Sequence, residues 1–292
     1  MSLYLGCPVW SFKGWVGNFY PKGIKSTDFL HEYAKRLNTI EGNTTFYAIP
    51  AIKTIANWIE QTPETFKFCP KIPKAISHNG KLVDYIERAI EFTNVMKPLA
   101  SRLGPMFLQL PPSYSPKLIE DLAKFLESFP NDVRLGVEVR HLDWFDEPNR
   151  KMLNDLLTEN KMARVVIDTR PIRNMAGDES IKDSAYESLL EARERKPDVP
   201  VFEEQTTDFT FLRYIGHPEM SKNAVWVEEW VERIVNQLST KGEAYVFCHT
   251  PDNYLAPYLC KEIYGRVASQ VKINPLPWNE IESDIPRQAN LF

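Results

Sequence analysis

Short apolar runs of strand length recur along the chain, and each is followed by a stretch with helical periodicity. Runs rich in β-branched and aromatic residues are typical of strands, whereas apolar residues at i, i+3 and i+4 are typical of amphipathic helices. The pattern predicts eight strands, with the sequences LYLGC (3–7), TIEGNTTFY (39–47), FKFCPKI (66–72), MFLQL (106–110), RLGVEVR (134–140), ARVVID (163–168), FTFLRYIG (209–216) and EAYVFCH (243–249).

The segments between the strands carry recognisable helix signals. STDFLHEYAKRL (26–37) begins on capping residues, and SPKLIEDLAKFLESF (115–129) has a proline in its first turn. Strand and helix alternating eight times predict a single (β/α)8 TIM-like barrel, with an open doubly wound sheet as the alternative. We assign the barrel to residues 1–271 and a C-terminal tail to residues 272–292.

One connection is too long for an ordinary barrel loop. Residues 170–208, between strands 6 and 7, contain the charged and helical segment SAYESLLEARERK (184–196). Two interpretations fit equally well, a mobile lid over the mouth of the barrel or a surface helix that caps it.

Polar residues end most of the predicted strands. In a parallel barrel, strand ends point into one mouth and alternate positions share a face, so these residues are expected to lie together. The predicted catalytic residues are Glu41, Glu138, Asp168 and Arg140, and the predicted binding residues with them are Asn43, Thr45, Lys71, His78, Gln109, Arg213 and His249. On strand 2, alternation turns Ile40 and Phe46 outward.

A purely structural interpretation competes with a site. A pair such as Glu41 with Arg140 can be buried simply because each charge satisfies the other. Polar groups at the ends of most strands are harder to explain in this way, since each unsatisfied buried group costs about 1–3 kcal/mol. A site is therefore favoured.

Aromatic residues crowd the same loops and suggest a stacking platform for a sugar ring or a base. Trp10, Tyr47 and Trp144 are the candidates for ligand contact, and Trp15, Phe46 and Phe145 stand beside them. Ordinary loop packing is the alternative for each of them. Trp58, Trp226 and Trp230 have helical spacing among apolar neighbours and are predicted to belong to the core.

The sequence contains no G-x-S-x-G, G-x-x-x-x-G-K-[ST], H-E-x-x-H or G-x-G-x-x-G signature at a suitable place. The remaining chemistry is acid–base work by carboxylates and imidazoles, with Lys71, Arg140 and Arg213 holding an anion. A divalent metal bound by Glu, Asp and His side chains is a minority alternative, and no metal ligands are assigned.

Composition narrows the class of protein. The 292 residues carry a net charge of −4, which gives no overall attraction to nucleic acid or to anionic lipid. Cys7, Cys69, Cys248 and Cys260 are widely spaced and mostly lie in strand-like runs, so we expect free buried thiols. The sequence contains no apolar run of membrane-spanning length, and we expect a cytoplasmic protein.

Several motifs together resemble the YecE-like family, a domain of unknown function. They are WSFKGWVGNFYP (10–21), TIEGNTTFYAIP (39–50), TPETFKFCPKIPKAISH (62–78), LGPMFLQLPPSY (103–114), GVEVRHLDWF (136–145) and FLRYIGH (211–217). The resemblance implies a TIM-barrel-like fold and no established activity. The eighth strand departs from the family pattern, because FCHTPDNY (247–254) stands where an Asn-rich ending is expected.

Three functions remain open at this level, and whether the protein is an enzyme is undecided. The first is a hydrolase-like enzyme for a phosphate-bearing or nucleic-acid substrate, by analogy with TIM-barrel nucleases. The second is a carbohydrate-active hydrolase that uses Glu41 and Glu138 as its carboxylate pair. The third is a non-catalytic ligand-binding protein.

The end of the tail suggests a partner. Gln288, Leu291 and Phe292 resemble the pentapeptide by which bacterial replication and repair proteins dock on the sliding clamp. The alternative is a tail that folds back on its own barrel. Docking would favour the nucleic-acid function.

Overall fold

The computed structural model describes residues 2–174, 184–202, 204–240 and 242–279. Within these residues, eight parallel strands alternate with helices, and the chain folds as a single (β/α)8 TIM-like barrel, as predicted. The strands are β1 (Ser2–Gly6), β2 (Thr39–Gly42), β3 (Lys67–Pro70), β4 (Met106–Gln109), β5 (Leu135–Glu138), β6 (Ala163–Asp168), β7 (Phe209–Ile215) and β8 (Glu243–His249).

The α-helices of the described residues range from single turns to four turns. They are α1 (Phe29–Ala34), α2 (Thr44–Tyr47), α3 (Ile52–Gln61), α4 (Lys74–Ser77), α5 (Ile86–Met96), α6 (Ile119–Ser128), α7 (Asn149–Glu159), α8 (Arg170–Arg173), α9 (Ser184–Arg195), α10 (Ala224–Ser239) and α11 (Ala256–Ala268). No helix in the described ranges is both long and apolar enough to cross a membrane.

The barrel closes between its first and last strands. Six strands form one parallel sheet in the order β1-β8-β7-β6-β5-β4, and β2 pairs with β3. In the pairing of β1 with β8, Gly6 lies opposite Phe247. The ring therefore needs only two further contacts, between β1 and β2 and between β3 and β4.

These two contacts are made by a few hydrogen bonds. At the first, the Glu41 amide donates to the Cys7 carbonyl at 3.1 Å, and the Asn38 side chain accepts from the Leu5 amide at 2.7 Å. At the second, the Gly104 amide donates to the Phe68 carbonyl at 2.8 Å. The Asn38 side chain thus bridges β1 and β2, which share no regular ladder.

The lower interior of the barrel is apolar. Rings dominate this layer, and Phe211 lies 5.2 Å from Phe107 and 4.9 Å from Phe247 between ring centroids. The buried cluster contains Cys69, Phe107, Ala163, Val165, Phe209, Phe211, Tyr245 and Phe247. Inward-facing polar side chains at the carboxyl ends of the strands lie above this layer, at the mouth.

The cysteines are buried and free, as expected. Burial raises the pKa of the Cys7 thiol well above its ordinary value, and the neighbouring Cys260 and Cys248 thiols raise it further. Cys7 directly follows β1, and Cys248 is the second-last residue of β8, so the pairing of these two strands brings the thiols together. The two thiols are neighbours and free in the structure, as expected, and their reduced state in solution stays a prediction that thiol titration tests.

The second strand is shorter than predicted. β2 ends at Gly42, and α2 begins two residues later, so Thr45 and Phe46 have helical rather than alternating geometry. The buried Thr45 hydroxyl donates to the Gly42 carbonyl at 2.8 Å and to the Lys71 carbonyl at 2.6 Å. Thr45 therefore joins two strand ends, and its expected place on the ligand-facing side of β2 is wrong.

Helices α8 and α9 lie between β6 and β7, which confirms the long insertion. Beyond α11, the chain returns to the N-terminal part of the barrel, where the Trp278 ring lies 5.1 Å from the Phe19 ring. The Trp278 amide donates to the Arg36 carbonyl at 3.2 Å. The described start of the assigned tail thus packs against the barrel.

Candidate functional site

A cavity of about 550 Å³ opens at the carboxyl ends of the strands. Its volume lies in the range of sites for small molecules. Eight residues predicted from the sequence to belong to a site line it, namely Asn43, Tyr47, Lys71, His78, Gln109, Arg140, Arg213 and His249. The expected clustering of these strand ends is therefore present in the structure.

A buried ion network lies at the base of the cavity, with Arg213 of β7 at its centre. The guanidinium donates to Glu41 of β2 from Nε and Nη2, both at 2.9 Å. Its Nη1 donates to Glu138 of β5 at 2.6 Å. One guanidinium therefore joins carboxylates from opposite sides of the barrel.

Glu41 has two further partners. The Asn43 amide donates to its Oε1 at 2.7 Å, and Nε2 of His249 lies 2.9 Å from its Oε2. Burial on its own would raise the pKa of Glu41, but the Arg213 guanidinium and His249 hold that pKa well below its usual range. Glu41 is thus an ionised carboxylate whose oxygens are all engaged.

Glu138 is held in the same way from its other side. Nε of Arg140 donates to its Oε1 at 2.7 Å. Burial opposes ionisation, yet Arg213 and Arg140 lower the pKa of Glu138 to about 2. The ion pair between Glu41 and Arg140 that the sequence suggested does not form, because Arg140 binds Glu138 instead.

Gln109 connects this network to Lys71. Its Oε1 accepts from Nη2 of Arg140 at 2.7 Å and from Nζ of Lys71 at 2.8 Å. The Lys71 ammonium also lies over the Phe46 ring, 4.0 Å from its centroid. Burial and the Arg213 charge lower the pKa of Lys71 to about 7.

Both histidines at the mouth are neutral at pH 7. Burial and the Lys71 charge lower the pKa of His78 to about 4. Burial also lowers the pKa of His249 to about 4, although the nearby Glu41 opposes the shift. His78 lies beside Phe46, with 5.2 Å between ring centroids, and its Nδ1 is 2.8 Å from the Ser77 hydroxyl.

The wall of the cavity has more basic than acidic side chains, with Arg140 and Arg213 paired to the carboxylates beneath it and Arg195 paired to Glu191. Among the described residues that line it, six are basic and one is acidic, Glu191. The basic residues are Lys71, Lys74, Arg140, Arg195, Lys196 and Arg213. Glu41 and Glu138 lie beneath this wall and do not line it. A cavity with this charge distribution attracts anions.

Helix α9 of the insertion forms one side of the cavity. Glu191 and Ala192 line it from the helix, and Lys196 follows directly after the last helical residue. Burial and the Arg213 charge lower the pKa of Lys196 to about 8. Whether α9 moves as a lid stays a prediction. The sequence analysis did not assign Arg195 and Lys196 to the site. The basic residues at the end of SAYESLLEARERK could have indicated them.

Asp168 does not face the mouth, so its predicted position is wrong. The neighbouring Ile167 lies opposite the inward-facing Arg213 in the register of β6 and β7, and alternation therefore turns Asp168 outward. Its Oδ2 accepts from Nε1 of Trp230 in α10 at 2.7 Å and from Arg170 at 2.7 Å. Asp168 is a bridge between β6 and α10.

The expected tryptophan platform is also absent from the described mouth. Trp10 packs edge-on against Trp58 with 5.7 Å between ring centroids. Trp144 is fully buried and donates from Nε1 to the Tyr114 carbonyl at 2.7 Å. The aromatic residues that do line the cavity are Phe46 and the exposed Tyr47, because α2 carries them to its rim.

Two other predictions concern ligands and partners. Within the described residues, no group of three or more His, Cys, Asp and Glu side chains is arranged to hold a metal ion. Gln288, Leu291 and Phe292 lie outside the described residues, so docking on the sliding clamp stays a prediction.

The fold and the ion network define an α/β barrel with a cationic mouth. The chain belongs to the family described as protein of unknown function DUF72, whose model matches residues 4–281. It is 35% identical to UPF0759 protein YecE of Escherichia coli strain K12, over 99% of this chain and 100% of that protein. The resemblance to the YecE-like family is thereby confirmed.

Solved structures of the family have the same fold. A DUF72 family protein of Thermotoga maritima MSB8 matches with a TM-score of 0.68 and 23% identity, covering 92% of this chain and 100% of that chain. One from Enterococcus faecalis V583 matches with a TM-score of 0.68 and 20% identity, covering 94% and 98%. These similarities extend the barrel fold to distant members of the family.

Proposed function

We propose that the protein is an enzyme that binds a small phosphate-bearing substrate, or the phosphate-bearing end of a nucleic acid, in the mouth of the barrel. The observation that carries this proposal is the excess of basic over acidic side chains in the wall of the cavity. Guanidinium and ammonium groups bind phosphate by charge-assisted hydrogen bonds. The cavity volume of about 550 Å³ suits a sugar phosphate or a single nucleotide rather than a duplex.

The ion network revises the roles assigned to the carboxylates. Glu41 and Glu138 are ionised and bound to Arg213, so neither is free to accept a proton or to ligate a metal. They hold Arg213 in place at the base of the phosphate site. For hydrolysis, we assign the neutral imidazole of His78 as the general base because it lines the cavity, and its pKa of about 4 makes it a weak base at pH 7.

The carbohydrate hydrolase is disfavoured by the same geometry. A glycosidase needs one protonated carboxyl group as a general acid, with a raised pKa. Here the pKa of Glu138 is lowered to about 2, and that of Glu41 is also lowered. A non-catalytic binding protein would use the same cationic cavity. Only a measurement of turnover distinguishes that function from the enzyme that we propose.

Calorimetric titration tests the binding part of the proposal. Inorganic phosphate, ribose 5-phosphate and ribose are titrated into the wild type and into Lys196→Gln and Arg140→Gln. We expect inorganic phosphate and ribose 5-phosphate to bind to the wild type and ribose to give no heat. Each variant should bind ribose 5-phosphate at least tenfold more weakly than the wild type does. Lys124→Gln, on the exposed face of α6, is the matched control and keeps wild-type affinity. Equal heats from ribose and ribose 5-phosphate would exclude a phosphate site.

Turnover tests the catalytic part. Phosphate release is followed for a panel of sugar phosphates and nucleotides with the wild type and His78→Gln. We expect release by the wild type and at least a hundredfold lower kcat for His78→Gln with a similar KM. Binding without release across the panel would favour the non-catalytic protein.

A further inference from the structure

We propose that Lys71 is a nucleophile that forms a Schiff base with the carbonyl carbon of a phosphate-bearing aldehyde or ketone in the mouth of the barrel. The inference rests on the proposed binding of phosphate but not on hydrolysis. It adds a reaction type and a substrate class to the cavity.

The surroundings of Lys71 are unusual for a lysine. The side chain is only 6% exposed, yet it lines the cavity. Nζ donates to the neutral Gln109 amide oxygen and lies over the Phe46 ring. Among the described residues, no carboxylate lies within ion-pair distance of its ammonium. The amine is therefore held at the ligand cavity without a partner that fixes its charge.

Burial is the main factor that favours the neutral amine, and the Arg213 charge adds to it, whereas Glu138 and Glu41 oppose the shift. Both carboxylates of the network are bound by guanidinium groups, and the Arg213 and Arg140 charges act on Lys71 from below. A lysine desolvated beside other cations becomes nucleophilic at neutral pH. With a pKa of about 7, roughly half of the Lys71 amine is unprotonated at pH 7.

The same cations provide specificity. Arg140 and Lys196 line the cavity with Lys71, so a phosphate bound to them would place the rest of a small substrate beside the amine. Lys196 is the competing nucleophile, because its pKa is lowered to about 8. It is half-buried at the end of α9, whereas Lys71 is enclosed between Gln109 and Phe46.

The reaction balances without an added oxidant or reductant. The neutral Nζ of Lys71 attacks the carbonyl carbon, and one of its two protons passes to the carbonyl oxygen to give a neutral carbinolamine. The nitrogen loses a proton, the hydroxyl gains one and leaves as water, and the C=N bond forms. His78, which also contacts the Phe46 ring and lines the cavity, is neutral and is assigned to carry the proton from nitrogen to the leaving hydroxyl.

Borohydride trapping tests the proposal on the intact chain. Pyridoxal 5′-phosphate is the phosphate-bearing aldehyde, pyridoxal is its phosphate-free analogue, and sodium borohydride converts any imine to a stable amine that peptide mass spectrometry locates. At a one-to-one ratio of probe to protein, we expect a single principal adduct, on Lys71. Labelling by pyridoxal, or with excess inorganic phosphate present, should be at least tenfold lower.

Variants separate this inference from phosphate binding. Lys71→Arg keeps the positive charge, and Lys71→Met serves if the arginine variant does not fold. Lys124→Arg is the surface control and should be labelled like the wild type. We expect Lys71→Arg to lose the principal adduct while calorimetry still detects phosphate. An adduct on Lys196 or spread over surface lysines, with phosphate binding intact, overturns the nucleophile alone. Equal labelling by both aldehydes on Lys71 would instead overturn the phosphate site.

Discussion

Arg213 organises the polar end of the barrel at the scale of single residues. It is 3% exposed and binds two carboxylates that are fully buried. A buried charge left without its partner costs more than the intact pair contributes, because it keeps its desolvation penalty and loses the attraction. The stability of the mouth should therefore depend on this one side chain.

Substitution of Arg213 by Met tests that dependence. We expect the free energy of unfolding in urea at pH 7 to fall by about 3–5 kcal/mol, because Glu41 and Glu138 lose their shared partner. Arg266 is the matched control, since it also bridges two carboxylates, Glu228 and Glu262, but on the surface. Arg266→Met should cost less than about 1 kcal/mol. Similar losses in the two variants would contradict our account of the network.

The acid side of the pH–stability curve provides a second prediction. The pKa of Glu138 falls from an ordinary 4.5 to about 2 on folding, so the folded state binds fewer protons between these values. Its stabilising contribution is full above pH 4.5 and is lost as pH falls towards 2. Between pH 6 and pH 3, we expect the wild type to lose about 2 kcal/mol more than Glu138→Gln. Urea titrations at each pH measure this, and parallel curves would contradict it.

The sequence predicted most of the polar residues that meet at the mouth, apart from Thr45 and Asp168, but not how they pair. Alternation within a strand places Glu41, Glu138 and Arg213 inward wherever the strand is regular. The choice of partner depends on strand register across the barrel, which the pattern of single strands does not contain. The alternation rule also fails outside regular strands. Phe46 was predicted to turn outward, but it belongs to α2 and follows helical geometry.

At the scale of elements, the backbones of β1 and β2 lie close together at Gly6. A Cβ atom added at Gly6 would lie 2.2 Å from the Thr39 carbonyl oxygen. A backbone atom cannot rotate away as a side chain can, and overpacking of this kind costs about 1–3 kcal/mol. The glycine is therefore required by the closeness of the strands.

Substitution of Gly6 by alanine should lower the free energy of unfolding by about 1–3 kcal/mol, and the melting temperature should fall with it. Gly265 in α11 is the matched control, because a Cβ atom there would meet nothing within 4 Å. Alanine favours a helix interior over glycine, so Gly265→Ala should stabilise the protein by up to about 1 kcal/mol. We expect the two substitutions to change the free energy of unfolding in opposite directions. No change in Gly6→Ala would contradict the close approach of the strands.

At the scale of the whole molecule, the order of strands and helices could be predicted because most strands are short, largely apolar runs and each is followed by a helical stretch. The pairing of β1 with β8 follows once the eight strands are taken to close into a barrel rather than to form an open sheet. The sequence could not predict whether the Asp168 side chain faces the barrel interior or the helices, because this depends on which residues of β6 point inward. The cationic wall required the insertion to be folded over the mouth, which brings Lys196 beside the strand ends.

The C-terminal residues give a prediction about assembly that is independent of the cavity. Gln288, Leu291 and Phe292 match the pattern in which two apolar side chains enter a pocket on the sliding clamp while the glutamine amide fixes the register. We expect a peptide of residues 283–292 to release heat on titration into the bacterial clamp. The matched control carries Leu291→Ala and Phe292→Ala, which removes the apolar anchors and should weaken binding at least tenfold. Equal heats from the two peptides would exclude docking, whereas selective binding would favour a nucleic-acid end as the phosphate-bearing substrate of the mouth.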